Sequence, residues 1–145
     1  MPTFTRLDTA PDRQTYILRF AKGENLLAGL LDFVDQNHIT TADVSGIGAL
    51  LEAKIGYYDL DARQYRFQTF TRPMEVLSLK GNISMLDGQL SAHLHVTLGD
   101  DQYRAIGGHL AEATVGGTIE LFLTAYPVVI NRKKDAETGL NLLDI

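Results

Sequence analysis

Three of the four histidines in this 145-residue chain fall within residues 93 to 109. The segment Ser91-Ala92-His93-Leu94-His95-Val96-Thr97-Leu98 alternates in period two. That period predicts a half-buried strand, with Ala92, Leu94, Val96 and Leu98 toward the core and Ser91, His93, His95 and Thr97 on the other face. Imidazoles at i and i+2 then project side by side, where one metal ion can be shared. Zinc, nickel and copper all accept neutral imidazole. His109 follows Gly107-Gly108, which reads as a side-chain-free turn permitting close backbone approach. A strand, a turn and a return strand would then bring the third imidazole beside the first two. Zinc on three histidines with an open fourth position can activate water, and the same ligand set can be structural. Two other readings stay open: a solvated pair on a strand surface, and acid–base use without metal.

Glu75 and Glu120 are the carboxylates within otherwise apolar segments. Each is a candidate to accept a hydrogen bond from a metal-bound histidine and so orient its ring, or to act as a general base. The plainer alternative for each is a salt bridge to Lys80, Arg104 or Arg132. His38 sits near a helix end and is assigned no function. Gly46-Ile47-Gly48 lacks the third glycine and the following helix of a dinucleotide loop. Asn82-Ile83-Ser84 matches a glycosylation acceptor but lies in a strand. Arg132-Lys133-Lys134, the one dense basic run, reads as a solvated loop.

The elements that must position these residues follow from the same periodicities. Thr15 to Phe20 reads as a strand. Leu26, Leu27, Leu30, Leu31 and Val34 fall at helical spacing from Glu24 to about Gln36, with Gly23 as N-cap and Glu24 in the first turn. Thr40 to Ser45 reads as a strand, Gly46 to Gly48 as a break, and Ala49 to Asp59 and Gln64 to Phe70 as further strands. Met74 to Met85 and Leu90 to Leu98 pair across Asp87-Gly88, a strong hairpin signal. Gly99-Asp100-Asp101 closes the next turn, and Thr118 to Tyr126 is a long apolar strand. The expectation is one α+β domain spanning 1–145, a mostly antiparallel β-sheet with one main helix. Ile119 to Leu123 and Ile17-Leu18 are apolar on both faces, so both faces need cover. One helix covers one face only, which predicts a homo-oligomer.

Composition narrows the function. The chain has no cysteine, so disulfides and thiolate metal sites are excluded, and a reducing compartment fits. The net charge of −5 opposes phosphate backbones at long range. The first twenty residues lack the apolar stretch of a secretory signal, and apolar runs fall short of the ~18 residues of a membrane helix. A cytoplasmic protein without membrane contact is expected.

The order and spacing of several segments resemble the PPC domain (plant and prokaryote conserved, also written PCC). They are Lys22-Gly23-Glu24, Ser45 to Leu50, Gly56-Tyr57-Tyr58, Glu75 to Ser84, His93-Leu94-His95-Val96, Gly107-Gly108-His109-Leu110 and Thr138-Gly139-Leu140. The resemblance implies a homotrimer. It also implies a stand-alone prokaryotic member, a group commonly labelled predicted DNA-binding protein. This chain carries no AT-hook, and plant members generally lack the histidines, so the fold does not require them. Three functions follow for comparison. The first is a trimeric DNA-associated or regulatory protein with zinc or another divalent transition metal at His93, His95 and His109. The second is a small metal-dependent enzyme at that site. The third is a non-catalytic oligomerisation module.

Overall fold

The computed structural model describes residues 1–7 and 13–145. In chain order the elements are β1 (Thr3–Arg6), β2 (Gln14–Ala21), α1 (Leu26–Gln36), β3 (Ala42–Asp59), β4 (Gln64–Phe70), β5 (Met74–Leu86), β6 (Gln89–Gly99), β7 (Ala105–Ala125), β8 (Arg132–Lys134) and β9 (Asn141–Leu143). Seven strands form one antiparallel sheet in the order β1-β2-β7-β6-β5-β3-β4, and β8 pairs with β9 in a separate hairpin. β7 also pairs with β3, so β3, β5, β6 and β7 close into a ring. The α+β class and the single helix agree with the sequence reading.

The helix begins two residues later than expected. Asn25, not Gly23, is its N-cap, and the Asn25 Oδ1 accepts from the Ala28 N–H at 3.0 Å. Glu24 lies outside the helix, where its carboxylate accepts from the Ala21 N–H at 2.7 Å and from the Met1 ammonium at 3.0 Å. Leu26, Leu30, Phe33 and Val34 bury the helix against the sheet, whereas Leu27 and Leu31 are only partly covered.

The break expected at Gly46 to Gly48 does not occur. β3 runs straight through it, with a register shift between Gly46 and Gly48. A Cβ on Gly46 would collide with the Leu121 side chain and the Glu120 carbonyl, and one on Gly48 with the Thr118 carbonyl. These glycines therefore mark the close approach of β3 to β7, not a chain reversal. Asp87 and Gly88 both take positive φ, 49° and 78°, and join β5 to β6 as a two-residue hairpin.

The two-sided apolar strands resolve into a core face and an open face. Leu18, Ile119, Leu121 and Leu123 are buried. Phe122 and Ile47, by contrast, are 51% and 58% exposed on the outer side. No helix among the described residues is long and apolar enough to cross a membrane.

Candidate metal centre

β6 and β7 position the histidines. Leu94, Val96 and Leu98 are buried on the core face of β6, which turns His93 and His95 outward as the alternation predicts. His109 lies on β7 as the direct cross-strand partner of His95. The Gly107-Gly108 pair is part of β7, so the turn read there does not exist. Its physical role is proximity. A Cβ on Gly107 would lie 2.6 Å from the Val96 carbonyl, and one on Gly108 would lie 2.6 Å from the Gly56 carbonyl. Side chains there would push β7 away from β6 on one side and β3 on the other. The true turn is residues 100–104, fixed by Asp100. Its carboxylate accepts from the Gln102 and Arg104 backbone N–H groups and from the Arg104 guanidinium at 2.7 and 2.9 Å. The bond from the Arg104 side chain is the chief reason the Asp100 carboxyl stays ionised down to about pH 2.

The three rings converge. Their centroids are 5.1 Å apart for His93 and His95, 5.3 Å for His93 and His109, and 5.8 Å for His95 and His109. One ligand nitrogen from each lies within 4.8 Å of the others. A tetrahedral zinc with bonds of about 2.0–2.1 Å needs nitrogens about 3.3 Å apart, so modest side-chain rotation completes the set.

Electrostatics keeps two of these imidazoles neutral. Burial, then the charge of Arg132 and the neighbouring histidines, pulls His93 from its ordinary 6.5 to about 4. Burial, then His95 and Arg132, also lowers His109. Two imidazolium charges about 5 Å apart would repel by about 3 kcal/mol even at an effective dielectric of 20. Neutral imidazole is the form that ligates metals. His109 Nδ1 is buried and has no hydrogen-bond partner, an arrangement that costs free energy unless a ligand fills it. The donor set and this orphaned atom both fit a divalent transition metal.

The site opens into a cavity of about 870 Å³. Tyr65 forms one wall, its ring 4.8 Å from that of His109 and 4.9 Å from that of Tyr58. The β8–β9 hairpin forms another. It is fastened by the Tyr58 hydroxyl donating to the Thr138 carbonyl at 2.7 Å and by Arg63 donating to the Ala136 carbonyl at 3.3 Å. The hairpin corrects the reading of Arg132-Lys133-Lys134 as a solvated loop. Arg132 is held inside the cavity by Ser84 Oγ at 2.7 Å, Asn82 Oδ1 at 2.6 Å and the Asn141 carbonyl at 2.8 Å. One sequence signal pointed to it. Asn82 and Ser84 alternate with core residues and face the same side as the histidines, Asn82 opposite His93 and Ser84 opposite Ser91.

Neither candidate carboxylate joins the cluster. Glu75 pairs across to Gly99 and Ala49 and is exposed at the far end of β5. Lys80, the residue opposite His95, lies five positions further along, roughly 17 Å at the usual strand rise. Glu120 is exposed between Arg19 and Ile47 in the neighbouring strands. The expected salt-bridge partners are engaged elsewhere, Arg104 with Asp100 and Arg132 with Ser84, Asn82 and Asn141. His38 caps nothing in the site; it takes a left-handed φ of 56° just after the helix.

A closed antiparallel ring under a single helix, with three histidines on its outer face, defines a small α+β domain with an apolar core and a histidine-lined cavity. Residues 7–127 match the model of the Plants and Prokaryotes Conserved (PCC) domain, and the chain belongs to that family. Three solved structures are similar over nearly the whole length. A protein from Ralstonia eutropha JMP134 named "Putative DNA-binding protein" is 34% identical over 90% of each chain, with a TM-score of 0.85. The "Metal-containing Protein" from Archaeoglobus fulgidus is 34% identical over 100% of each chain, with a TM-score of 0.86. A plant- and prokaryote-conserved protein from Pyrococcus horikoshii is 34% identical over 99% of this chain and 95% of its own, with a TM-score of 0.85. No protein of curated function matches the chain. The β8–β9 hairpin, with Arg132 and Thr138-Gly139-Leu140, lies beyond the residues the family model matches.

The depressed His93 pKa makes a stability prediction for metal-free protein. The unfolded chain takes up a proton that folded His93 refuses, so this contribution is complete above pH 6.5 and is lost as pH falls toward 4. The full shift corresponds to ~3 kcal/mol, and solvent screening at a half-buried site leaves ~1–2 kcal/mol. Urea midpoints at pH 7 and pH 4.5 are expected to fall further for the native chain than for His93→Gln. Parallel losses would contradict the assignment.

Proposed function

We propose that this PCC-domain protein is a cytoplasmic homotrimer whose function is carried by a divalent transition metal, zinc or a close chemical relative, held by His93, His95 and His109. The observation that carries this reading is the convergence of three imidazoles, beside the fact that His109 Nδ1 is buried and unpartnered. The name of the archaeal relative supports it. A metal bound by three nitrogens keeps a fourth position for a ligand or water and acts there as a Lewis acid. The chain's own residues supply the rest. Tyr65 packs against His109 and restricts water on that side, while Arg132 sets a positive field over the cluster. Among the described residues, none of those lining the cavity is Asp or Glu. A binding or regulatory role is the first reading; a small metal-dependent enzyme and a purely structural oligomerisation module are the alternatives.

A DNA-associated role is the second reading, and the name of the Ralstonia relative supports it. The net charge of −5 opposes it, and Arg132, the first residue of the one dense basic run, is turned inward. A homotrimer accounts for the open face bearing Ile47 and Phe122, which a further copy of the chain would cover.

Protein purified without a polyhistidine tag is expected to take up one zinc per chain. His109→Ala is expected to weaken that uptake by at least about a hundredfold, and His95→Ala likewise. Uptake below a tenth of an equivalent would contradict the metal reading. Sedimentation is expected to show three chain masses for the native protein and smaller species for Phe122→Asp; a native monomer at micromolar concentration would sink the trimer. A mobility shift at about 50 mM salt that fades steeply with added salt would establish the DNA reading, and no shift is expected.

A further inference from the structure

Among the described residues, Arg132 is a cation without a counter-ion. Its guanidinium donates to Ser84 Oγ, Asn82 Oδ1 and the Asn141 carbonyl, all neutral acceptors. A guanidinium has five N–H donors, so two remain. Among the described residues it forms no ion pair with any carboxylate, although the chain contains eighteen Asp and Glu. The cavity it faces has no acidic lining residue and carries a second cation, Arg63. Holding a partly buried charge this way costs free energy unless an anion arrives from solution. The side chain is also fixed before any ligand comes, because two strand side chains and one hairpin carbonyl grip its fork.

The guanidinium stands beside the histidines. Asn82, which it bonds, is the cross-strand partner of His93, and its charge reaches both His93 and His109. The walls around it are mixed: the Tyr65 ring and Leu142 offer apolar surface, and Ser91 offers a hydroxyl. Such a pocket suits a small molecule with an apolar body and one anionic head. The planar fork of arginine matches carboxylate and phosphate groups. The hairpin walling the cavity favours a small ligand over the backbone of a nucleic acid duplex.

We propose that Arg132 is the anion-binding residue of a small-ligand site, where it holds a carboxylate or phosphate group beside His93, His95 and His109. The anion half of this statement stands on Arg132 alone; participation of the three histidines rests on the metal reading above.

Benzoate, phenylphosphate and the neutral isostere benzamide serve as probes, titrated by calorimetry into zinc-loaded and chelator-treated protein. Benzoate or phenylphosphate is expected to bind at least tenfold more tightly than benzamide. Zinc loading is expected to strengthen anion binding further. In chelator-treated protein, Arg132→Gln is expected to reduce the anions to the level of benzamide, Arg132→Lys to give an intermediate affinity, and Lys134→Gln to change nothing. If Arg132→Gln fails to fold, the comparison of benzoate with benzamide on the native protein still decides, together with Arg132→Lys. Equal affinity for benzoate and benzamide overturns the proposal, and so does unchanged anion affinity in Arg132→Gln. Binding of duplex DNA that is lost in Arg132→Gln, without any preference for the small anions, overturns it too. Normal zinc uptake with no anion preference removes this inference and leaves the metal reading intact. Anion preference without zinc uptake removes the metal reading and supports the Arg132 half.

Discussion

β7 pairs with three strands: β3 along most of its length, β2 over residues 118–125 and β6 near its start. Its pairing with both β3 and β6 closes the ring, and every feature of the site depends on it. His109 is held simultaneously opposite His95 of β6 and Gly56 of β3. A slip of one residue would turn His109 to the other face of the sheet and drive Leu110, which is buried, outward. The register is therefore enforced by the core: Leu110, Ala113, Val115, Ile119, Leu121 and Leu123 are all buried along β7. Glycines without room for a Cβ let the backbones meet closely enough for the ring to close.

The closed ring also sets the electrostatics. Two strands place three imidazoles on a partly buried face, and the hairpin beyond them adds Arg132. Among the described residues, no carboxylate lines the cavity to offset that charge. Protonation of His93 and His109 is suppressed first by burial and then by neighbouring positive charge. The consequence is a pair of neutral imidazoles, His93 and His109, next to a fixed cation. Such a pair of features suits a metal that takes imidazole and a ligand that carries negative charge.

Much of this was legible along the chain. The alternation around His93 and His95 gave their face, because Leu94, Val96 and Leu98 left only one side for the core. Asp87-Gly88 gave its hairpin, and Gln64 to Phe70 its strand, because local chemistry dictates both. The return of His109 beside His93 and His95 was also legible, whereas several other inferences that needed a distant strand failed. Gly46 to Gly48 and Gly107-Gly108 looked like breaks, since a glycine spared for a turn and one spared for a neighbouring backbone are alike in sequence. Glu75 and Glu120 looked like orienters of histidines, but strand length separates them from the cluster. Arg132 looked solvated because its partners Asn82 and Ser84 lie about fifty residues earlier. Only the closure of β3 on β7 and the return of the C-terminal hairpin bring these residues into, or keep them out of, the site.

The proposed metal centre joins three imidazoles, His93 and His95 on β6 and His109 on β7. X-ray absorption at the zinc edge tests it most directly on zinc-loaded protein. The account predicts three imidazole nitrogens at about 2.0–2.1 Å with a light-atom fourth ligand, and loss of one imidazole in His109→Ala. An all-oxygen shell, or a shell that His109→Ala leaves unchanged, would contradict it.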